Sequence, residues 1–401
     1  MGDILFLAHR VPYPPDRGDK IRGFNILKFL AARKRVHLVA FADDVRDIGR
    51  ENGLTDRTAI VWRAKSRAVA AVQALIGRKP VSLTAFENVA VGQAVADVLA
   101  TRDIDTIYVF SSQMAQYIPA DTQARVIMDF VDMDSAKFAD YGKTQTGPMG
   151  WLMRREGRLL AAYEAEVAGR ATASLFVSHA EVALFRRDSG ADRVFAIENG
   201  IDTDFFDPAA TFDRADVSGP IIVFTGQMDY RPNVEAVTWF VTAILPSVRA
   251  ANPGVSFAIV GRAPIDAVHA LGKQPGVIVT GEVADVRGWL AAASVVVAPL
   301  KLARGVQNKV LEAMAMARPV VASAPAAEGI DHEDTIAVGD TAAEITEQIV
   351  GLLADPVAAI ALGRAAREQV KRRYSWEARL APLDAILGTV LAEPAAERTA
   401  A

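Results

Sequence analysis

Cysteine is absent from the 401 residues, which removes disulfides, thiolate nucleophiles, zinc–thiolate sites and iron–sulfur clusters in one step. That absence fits a reducing compartment. Histidine is nearly as scarce: His9, His37, His179, His269 and His332 are all there is, and none has metal-ligand spacing. No 18 apolar residues run together without a charge or a turn former, so no membrane span is expected. The opening apolar run, Ile4 to Ala8, is too short and wrongly flanked for a signal-peptide core, and the expected location is the cytoplasm. A Gly-x-Gly-x-x-Gly turn after a strand is missing, which argues against a dinucleotide-dependent oxidoreductase. Gly18-Asp-Lys-Ile-Arg-Gly23 lacks the Gly-Lys-Ser/Thr ending of a P-loop. No repeat at solenoid periods is visible.

What is present is a globular composition, with 51% apolar and 23% charged residues. The length suggests two or three domains. Charge is unevenly spread: residues 1 to 200 carry 27 Lys and Arg against 24 Asp and Glu, a net of +3, while residues 201 to 401 carry 17 against 24, a net of −7. Neither half is basic enough for a nucleic-acid footprint. Between Arg57 and Phe86 there are six basic residues and no acid, interleaved with Val69, Val72, Leu75 and Ile76. This stretch, and the basic run Arg154-Arg155-Glu156-Gly157-Arg158, suit an anionic membrane surface; the alternative is an ordinary solvated helix.

Short β-branched runs alternate with helical patterns along the chain, the grammar of parallel sheets. Strands are expected at Ile4–Ala8, Val36–Phe41, Thr106–Phe110, Val126–Asp129, Ser174–Val177 and Val194–Ile197. A second set is expected at Ile221–Thr225, Val255–Val260, Val277–Thr280, Val295–Ala298, Val320–Ala322 and Ile336–Val338. These runs are apolar throughout rather than alternating, so both faces of each sheet are expected to be covered. Asn233 reads as the cap of a helix beginning at Val234, Thr341-Ala-Ala-Glu344 as a capping box, and Ser375 as the cap of the last helix. Turn residues cluster from Asn199 to Pro220. The expected organisation is a Rossmann-like domain over residues 1–205, a second over 206–375, a helix and tail over 376–401, and a cleft between the two sheets.

Ligands of open parallel sheets bind beyond the carboxyl ends of strands. The most informative segment there is Pro299-Leu-Lys-Leu-Ala-Arg304-Gly305-Val-Gln-Asn308-Lys309-Val-Leu-Glu312. It turns at Gly305, where a ligand can approach the backbone closely, and continues as a helix from about Gln307. A helix N-terminus attracts phosphate. Lys309 and Glu312 share a helix face, so a cation for a diphosphate stands beside an acceptor for ribose hydroxyls. That pairing suits a nucleotide-sugar; the alternative is a surface ion pair.

Gly305 to Ser323, with Phe224-Thr-Gly226-Gln-Met-Asp-Tyr-Arg231-Pro232-Asn233, Val279-Thr-Gly281-Glu-Val-Ala-Asp285-Val and Glu198-Asn-Gly200-Ile-Asp202, resembles the retaining glycosyltransferases of family 4 (group 1), which have the α/β GT-B fold. The opening Phe6-Leu-Ala-His9-Arg10-Val-Pro-Tyr-Pro-Pro15-Asp-Arg-Gly18-Asp19-Lys20-Ile-Arg22 and Asp129-Phe-Val-Asp132-Met-Asp134-Ser135-Ala-Lys137 carry a narrower resemblance. It is to the exopolysaccharide sugar transferases that accompany the PEP-CTERM/exosortase system. The resemblance implies transfer, with retention, of a sugar from a nucleoside-diphosphate sugar to an exopolysaccharide precursor, lipid-linked in the favoured form. It implies two Rossmann-like domains facing across a cleft, the C-terminal helix returning to the N-terminal domain, which takes the acceptor. Gly18, Gly226, Arg231, Gly305, Lys309 and Glu312 are the expected donor-binding positions, and Asp129, Arg304 and Lys309 the expected catalytic ones. His9 and Asp132 belong to the acceptor side.

The chain departs from the family in two places. Of the two glutamates that the family commonly has with seven residues between them, Glu312 matches the second and Arg304 stands at the first. The usual Arg and Lys after the first strand of the C-terminal domain are replaced by Gln227 and Asn233, leaving Arg231 and Arg304 to supply charge. Asp129 reads either as a proton acceptor for a sugar hydroxyl or as a cap for the next segment; His9 reads either as functional or as a plain loop histidine. Three Asp-x-Asp triplets (Asp103/Asp105, Asp132/Asp134, Asp202/Asp204) are too common a pattern to imply a metal, and none is expected. The rival functions are a nucleotide-sugar 2-epimerase of the same fold and a non-catalytic two-lobed small-ligand-binding protein.

Overall fold

The apolar runs become strands that are covered on both faces, with Ile4, Leu5, Phe6, Leu7 and Ala8 all fully buried. The computed structural model describes residues 2–49, 53–303 and 305–388. They divide into two units, Met1–Asn199 with Leu380–Ala401, and Gly200–Arg379; the sequence pattern placed these divisions at 205/206 and 375/376.

The first unit contains β1 (Asp3–Ala8), β2 (Val36–Ala42), β3 (Arg57–Trp62), β4 (Ile104–Phe110), β5 (Arg125–Val131), β6 (Ala173–Phe176) and β7 (Val194–Ala196). All pair parallel in the order β3-β2-β1-β4-β5-β6-β7. Strand order reverses between β1 and β4, which makes their carboxyl ends the expected ligand position. The acid-free stretch after Arg57 opens as β3, an edge strand, and not as a helix. Arg57 and Thr58 are exposed, so its polar residues hid a strand. A helix follows at Arg67–Ile76; it buries Ala70 and Ala74 and exposes Val69, Val72, Leu75 and Ile76. In the second basic run Arg154 and Arg158 are exposed, while Arg155 is buried and donates to the Ala74 and Lys79 carbonyls, tying the long helix Gly147–Arg170 to that region. Residues 380–388 return to this unit, as expected. The helix Pro382–Leu387 buries Leu383 and Leu387, and Asp384 accepts two hydrogen bonds from Arg33 at 2.5 and 2.8 Å.

The second unit holds β8 (Ile221–Thr225), β9 (Ser256–Val260), β10 (Val277–Gly281), β11 (Val295–Ala298), β12 (Val320–Ala322) and β13 (Ala337–Val338). They form a parallel sheet in the order β10-β9-β8-β11-β12-β13, with the reversal between β8 and β11. The run Arg231–Ala251 is long and apolar enough, by length and composition, to cross a membrane. Its Val237, Phe240, Ile244 and Val248 are buried in the core of this unit. The capping box forms, with the Thr341 hydroxyl accepting from the Glu344 amide.

Candidate functional site

In the second unit, the end of β8 and the first turn of the helix Asn308–Ala315 bring three sequence-chosen residues together. Gly226 directly follows β8, and a Cβ there would stand 2.7 Å from Asn233 Nδ2 and 3.0 Å from Lys309 Nζ. Glycine is therefore what lets the Lys309 ammonium lie against the backbone. On β9's side the fit is as close: a Cβ on Gly261 would fall 1.7 Å from the Gly226 carbonyl oxygen.

Asn233 does not cap a helix. The helix begins earlier, at Arg231, and Asn233 is buried inside it. Its Nδ2 donates to the Gln227 carbonyl at 2.9 Å, and its Oδ1 accepts from Lys309 Nζ at 2.5 Å. Lys309 Nζ also lies 4.2 Å from the Phe224 ring centroid. Burial lowers the Lys309 pKa to about 8, against an opposing pull from Glu312. Burial likewise raises the Glu312 carboxyl to about 6, with Lys309 pulling the other way. Both groups thus ionise near neutrality, as groups held for chemistry do. They are half-buried rather than an exposed surface pair.

A cavity of about 250 Å³ adjoins this cluster, lined by Tyr230, Pro232, Asn233, Leu300, Leu302 and Gln307 among others. Gly305 has φ +65°, and its carbonyl accepts from Gln307 Nε2 at 3.1 Å. Gln307 precedes the helix without a side-chain cap, which leaves the first-turn amides suited to an anion. Arg231 is not drawn into the cluster: its side chain is exposed and pairs with Glu235 one turn on, at 2.7 Å. Arg304 lies outside the described residues. Arg262, by contrast, was missed. It follows β9 and donates to Gln227 Oε1 at 3.0 Å, reaching the cluster only because β9 pairs with β8.

The first unit holds the acceptor-side candidates, at the ends of two strands. His9, just past β1, stacks on Phe110 with centroids 5.6 Å apart, and its Nε2 is 3.4 Å from Asp19 Oδ2. Its buried Nδ1 has no partner. Gly18 is exposed and starts the helix Gly18–Ala31. Asp132 is exposed after a left-handed Val131, φ +71°, at the irregular end of β5.

Asp129 is a correction. It is fully buried, and its carboxylate accepts from Arg22 at 3.0 to 3.2 Å, from the Tyr108 hydroxyl at 2.9 Å and from the Val131 amide at 3.0 Å. Burial pushes this carboxyl up while Arg22 pulls it down. With every direction occupied it positions the strand end and does not face a sugar. Among the described residues, no group of three or more His, Asp or Glu is arranged to hold a metal ion.

Residues 219–355 match the family described as Glycosyl transferases group 1. The GDP-mannose-dependent alpha-(1-6)-phosphatidylinositol monomannoside mannosyltransferase of two Mycobacterium tuberculosis strains is 30% identical over 210 residues, 46% of this chain. The chain spans about half, 53%, of the length of these curated relatives. HepE of Anabaena, solved with UDP and glucose, superposes with a TM-score of 0.58 at 15% identity, over 97% of this chain and 100% of that one. WaaG, a glycosyltransferase involved in lipopolysaccharide biosynthesis, gives 0.57 at 16% identity, over 96% and 100%. At such identities the structures establish the fold, α/β with two Rossmann-like sheets of the GT-B type. Over residues 219–355 the chain is similar to the group 1 glycosyltransferases.

Proposed function

We propose that the protein is a retaining hexosyltransferase that moves a sugar from a nucleoside-diphosphate sugar to an exopolysaccharide precursor, lipid-linked, at the cytoplasmic face of the membrane. The observation that carries the proposal is the Gly226–Asn233–Lys309 contact beside the first turn of the helix Asn308–Ala315. A single ammonium is held there against a glycine-cleared backbone, next to helix amides.

Lys309 and those amides receive the diphosphate and neutralise the charge that grows as it leaves. Glu312, on the same helix face, accepts ribose hydroxyls. The use of GDP-mannose in the name of the mannosyltransferase relatives, and the UDP and glucose bound to HepE, support a nucleotide-sugar donor. The N-terminal unit takes the acceptor, His9 and Asp132 being the exposed or half-buried polar groups at its strand ends.

The same unit supplies a membrane face. On the helix Arg67–Ile76 the exposed Val69, Val72, Leu75 and Ile76 are flanked by Arg63, Lys65, Arg78 and Lys79, the chemistry of an interfacial helix on anionic lipid.

Because Lys309 and backbone amides provide the positive charge, turnover is expected without a divalent cation. The test is release of nucleoside diphosphate from a panel of nucleotide-sugars, with and without EDTA. Donor turnover that survives EDTA is the expected result. Abolition by EDTA with rescue by manganese would refute metal independence and make Asp132 and Asp134 candidate ligands. Epimerised donor in the absence of acceptor would instead favour the 2-epimerase.

A further inference from the structure

We propose that Arg262, the residue after the Gly261 turn that ends β9, is a second cation of the donor site, holding the phosphate that Lys309 does not, so that the site selects a nucleoside diphosphate over a monophosphate. This rests on the nucleotide-sugar reading above and adds to it a residue on another strand.

The backbone fixes where Arg262 stands. The Gly226 amide donates to the Val260 carbonyl at 3.0 Å and the Met228 amide to the Arg262 carbonyl at 2.8 Å, so the turn after β9 is stitched to the turn after β8. From there the Arg262 guanidinium donates to Gln227 Oε1 at 3.0 Å. Gln227 offers its carbonyl to Asn233 Nδ2, and Asn233 offers Oδ1 to Lys309 Nζ. The two cations are therefore joined through two neutral amides. Such amides orient a cation by accepting its hydrogen bonds and leave its charge uncancelled.

The charge of Arg262 stays available. Other arginines of this unit are matched by acids: Arg231 pairs with Glu235 at 2.7 Å and Arg287 with Asp285 at 2.6 Å. Acids also stand on the segments beside Arg262, namely Asp229 past β8, Glu282 past β10 and Asp266 at the start of the next helix. Among the described residues none of them forms an ion pair with it. Arg262 is exposed, and the rest of its planar fork can meet a phosphate bidentately, which a lysine cannot do. Lys309 alone is a poor match for a diphosphate, because it is a single point charge with Glu312 pulling on it. A guanidinium held on the β9 side of the Gly226 turn supplies what is missing.

The experiment is isothermal titration of UDP, GDP, UMP and GMP into the full chain at pH 7, for wild type, Arg262→Gln, Arg262→Lys and Gln227→Ala, with folding checked by unfolding temperature. Arg262→Gln should weaken diphosphate binding roughly 10- to 100-fold, the range of a hydrogen bond to a charged group, and weaken monophosphate binding less. Arg262→Lys should recover part of the loss. Gln227→Ala removes the brace and keeps the charge, so its loss should be the smaller one. The inference is overturned if Arg262→Gln binds diphosphates as wild type does, if mono- and diphosphates lose equally, or if Gln227→Ala costs as much as Arg262→Gln, which would make Arg262 only a brace for the turn. Failure of every nucleotide to bind wild type would refute the donor-site reading itself, whereas loss in Lys309→Met without loss in Arg262→Gln would refute this inference alone.

Discussion

Replacing Lys309 with methionine keeps its length and removes its charge, and it should act on stability and turnover in opposite directions. The folded protein lowers the pKa of this amine from 10.5 to about 8, chiefly by burial. At 1.36 kcal/mol per pKa unit, holding the ammonium in place at neutral pH costs about 3 kcal/mol. Methionine escapes that cost, while the lost bond to Asn233 Oδ1 offsets about 1 kcal/mol. The ligand-free variant should therefore be more stable than wild type by about 1 to 2 kcal/mol at pH 7. The sign of the pH dependence follows: between 8 and 10.5 the unfolded chain holds a proton that the folded chain has released. This group's destabilising cost is thus fully present below pH 8 and is relieved as pH rises across that window. Turnover moves the other way. Losing a cation aimed at developing charge costs about 2 to 4 kcal/mol, roughly 30- to 1,000-fold in kcat/KM. Wild-type kcat/KM should fall on the alkaline side with a midpoint near 8. Urea unfolding at pH 7 and 9.5, with pH–rate profiles of both proteins, checks each part. A less stable Lys309→Met protein, or one with wild-type kinetics, would refute the reasoning.

Glu312→Gln should weaken donor use by about 1 to 2 kcal/mol and remove an acid limb near pH 6, where burial holds the wild-type carboxyl; a pH profile of kcat/KM for both proteins decides it. Asp129→Asn leaves the buried Arg22 without its counter-charge, and should destabilise by about 3 to 5 kcal/mol in thermal or urea unfolding. An unchanged unfolding midpoint would contradict that reading of Asp129. Vesicle co-sedimentation should show binding to anionic but not neutral lipid, released by salt because screening acts within about 10 Å. Substituting Val72 and Ile76 with Gln should reduce it, and equal binding to both lipids would return the helix to plain solvated surface.

Much of the scaffold was legible because burial on both faces writes parallel strands as apolar runs, as in Ile221–Thr225 and Val295–Ala298, each matched to the residue. The exception was β3. At a sheet edge one side of the strand stays wet, so Arg57 and Thr58 broke the pattern. In the candidate site, local signals sufficed to single out Gly226 and Lys309, which the structure brings together. It was misread where long-range contacts decided. Pro232-Asn233 looks like a helix start, but the side chain is taken by Lys309, 76 residues away. Asp129 looks like a strand-end carboxylate open to a ligand, yet its guanidinium partner, Arg22, lies 107 residues earlier. Arg262 became visible only once β9 was known to lie beside β8.

The central claim is that the Gly226–Asn233–Lys309 cluster binds the diphosphate of a sugar donor through one titrating ammonium. Isothermal titration of UDP and GDP into wild-type and Lys309→Met protein at pH 7 and pH 9 tests it directly. The account predicts that at least one nucleotide binds wild type, more weakly at pH 9 than at pH 7, because the amine of pKa about 8 must then take up a proton. It also predicts that Lys309→Met binds weakly at both pH values, with no pH dependence from this group. Equal affinity of the two proteins at pH 7 would contradict it.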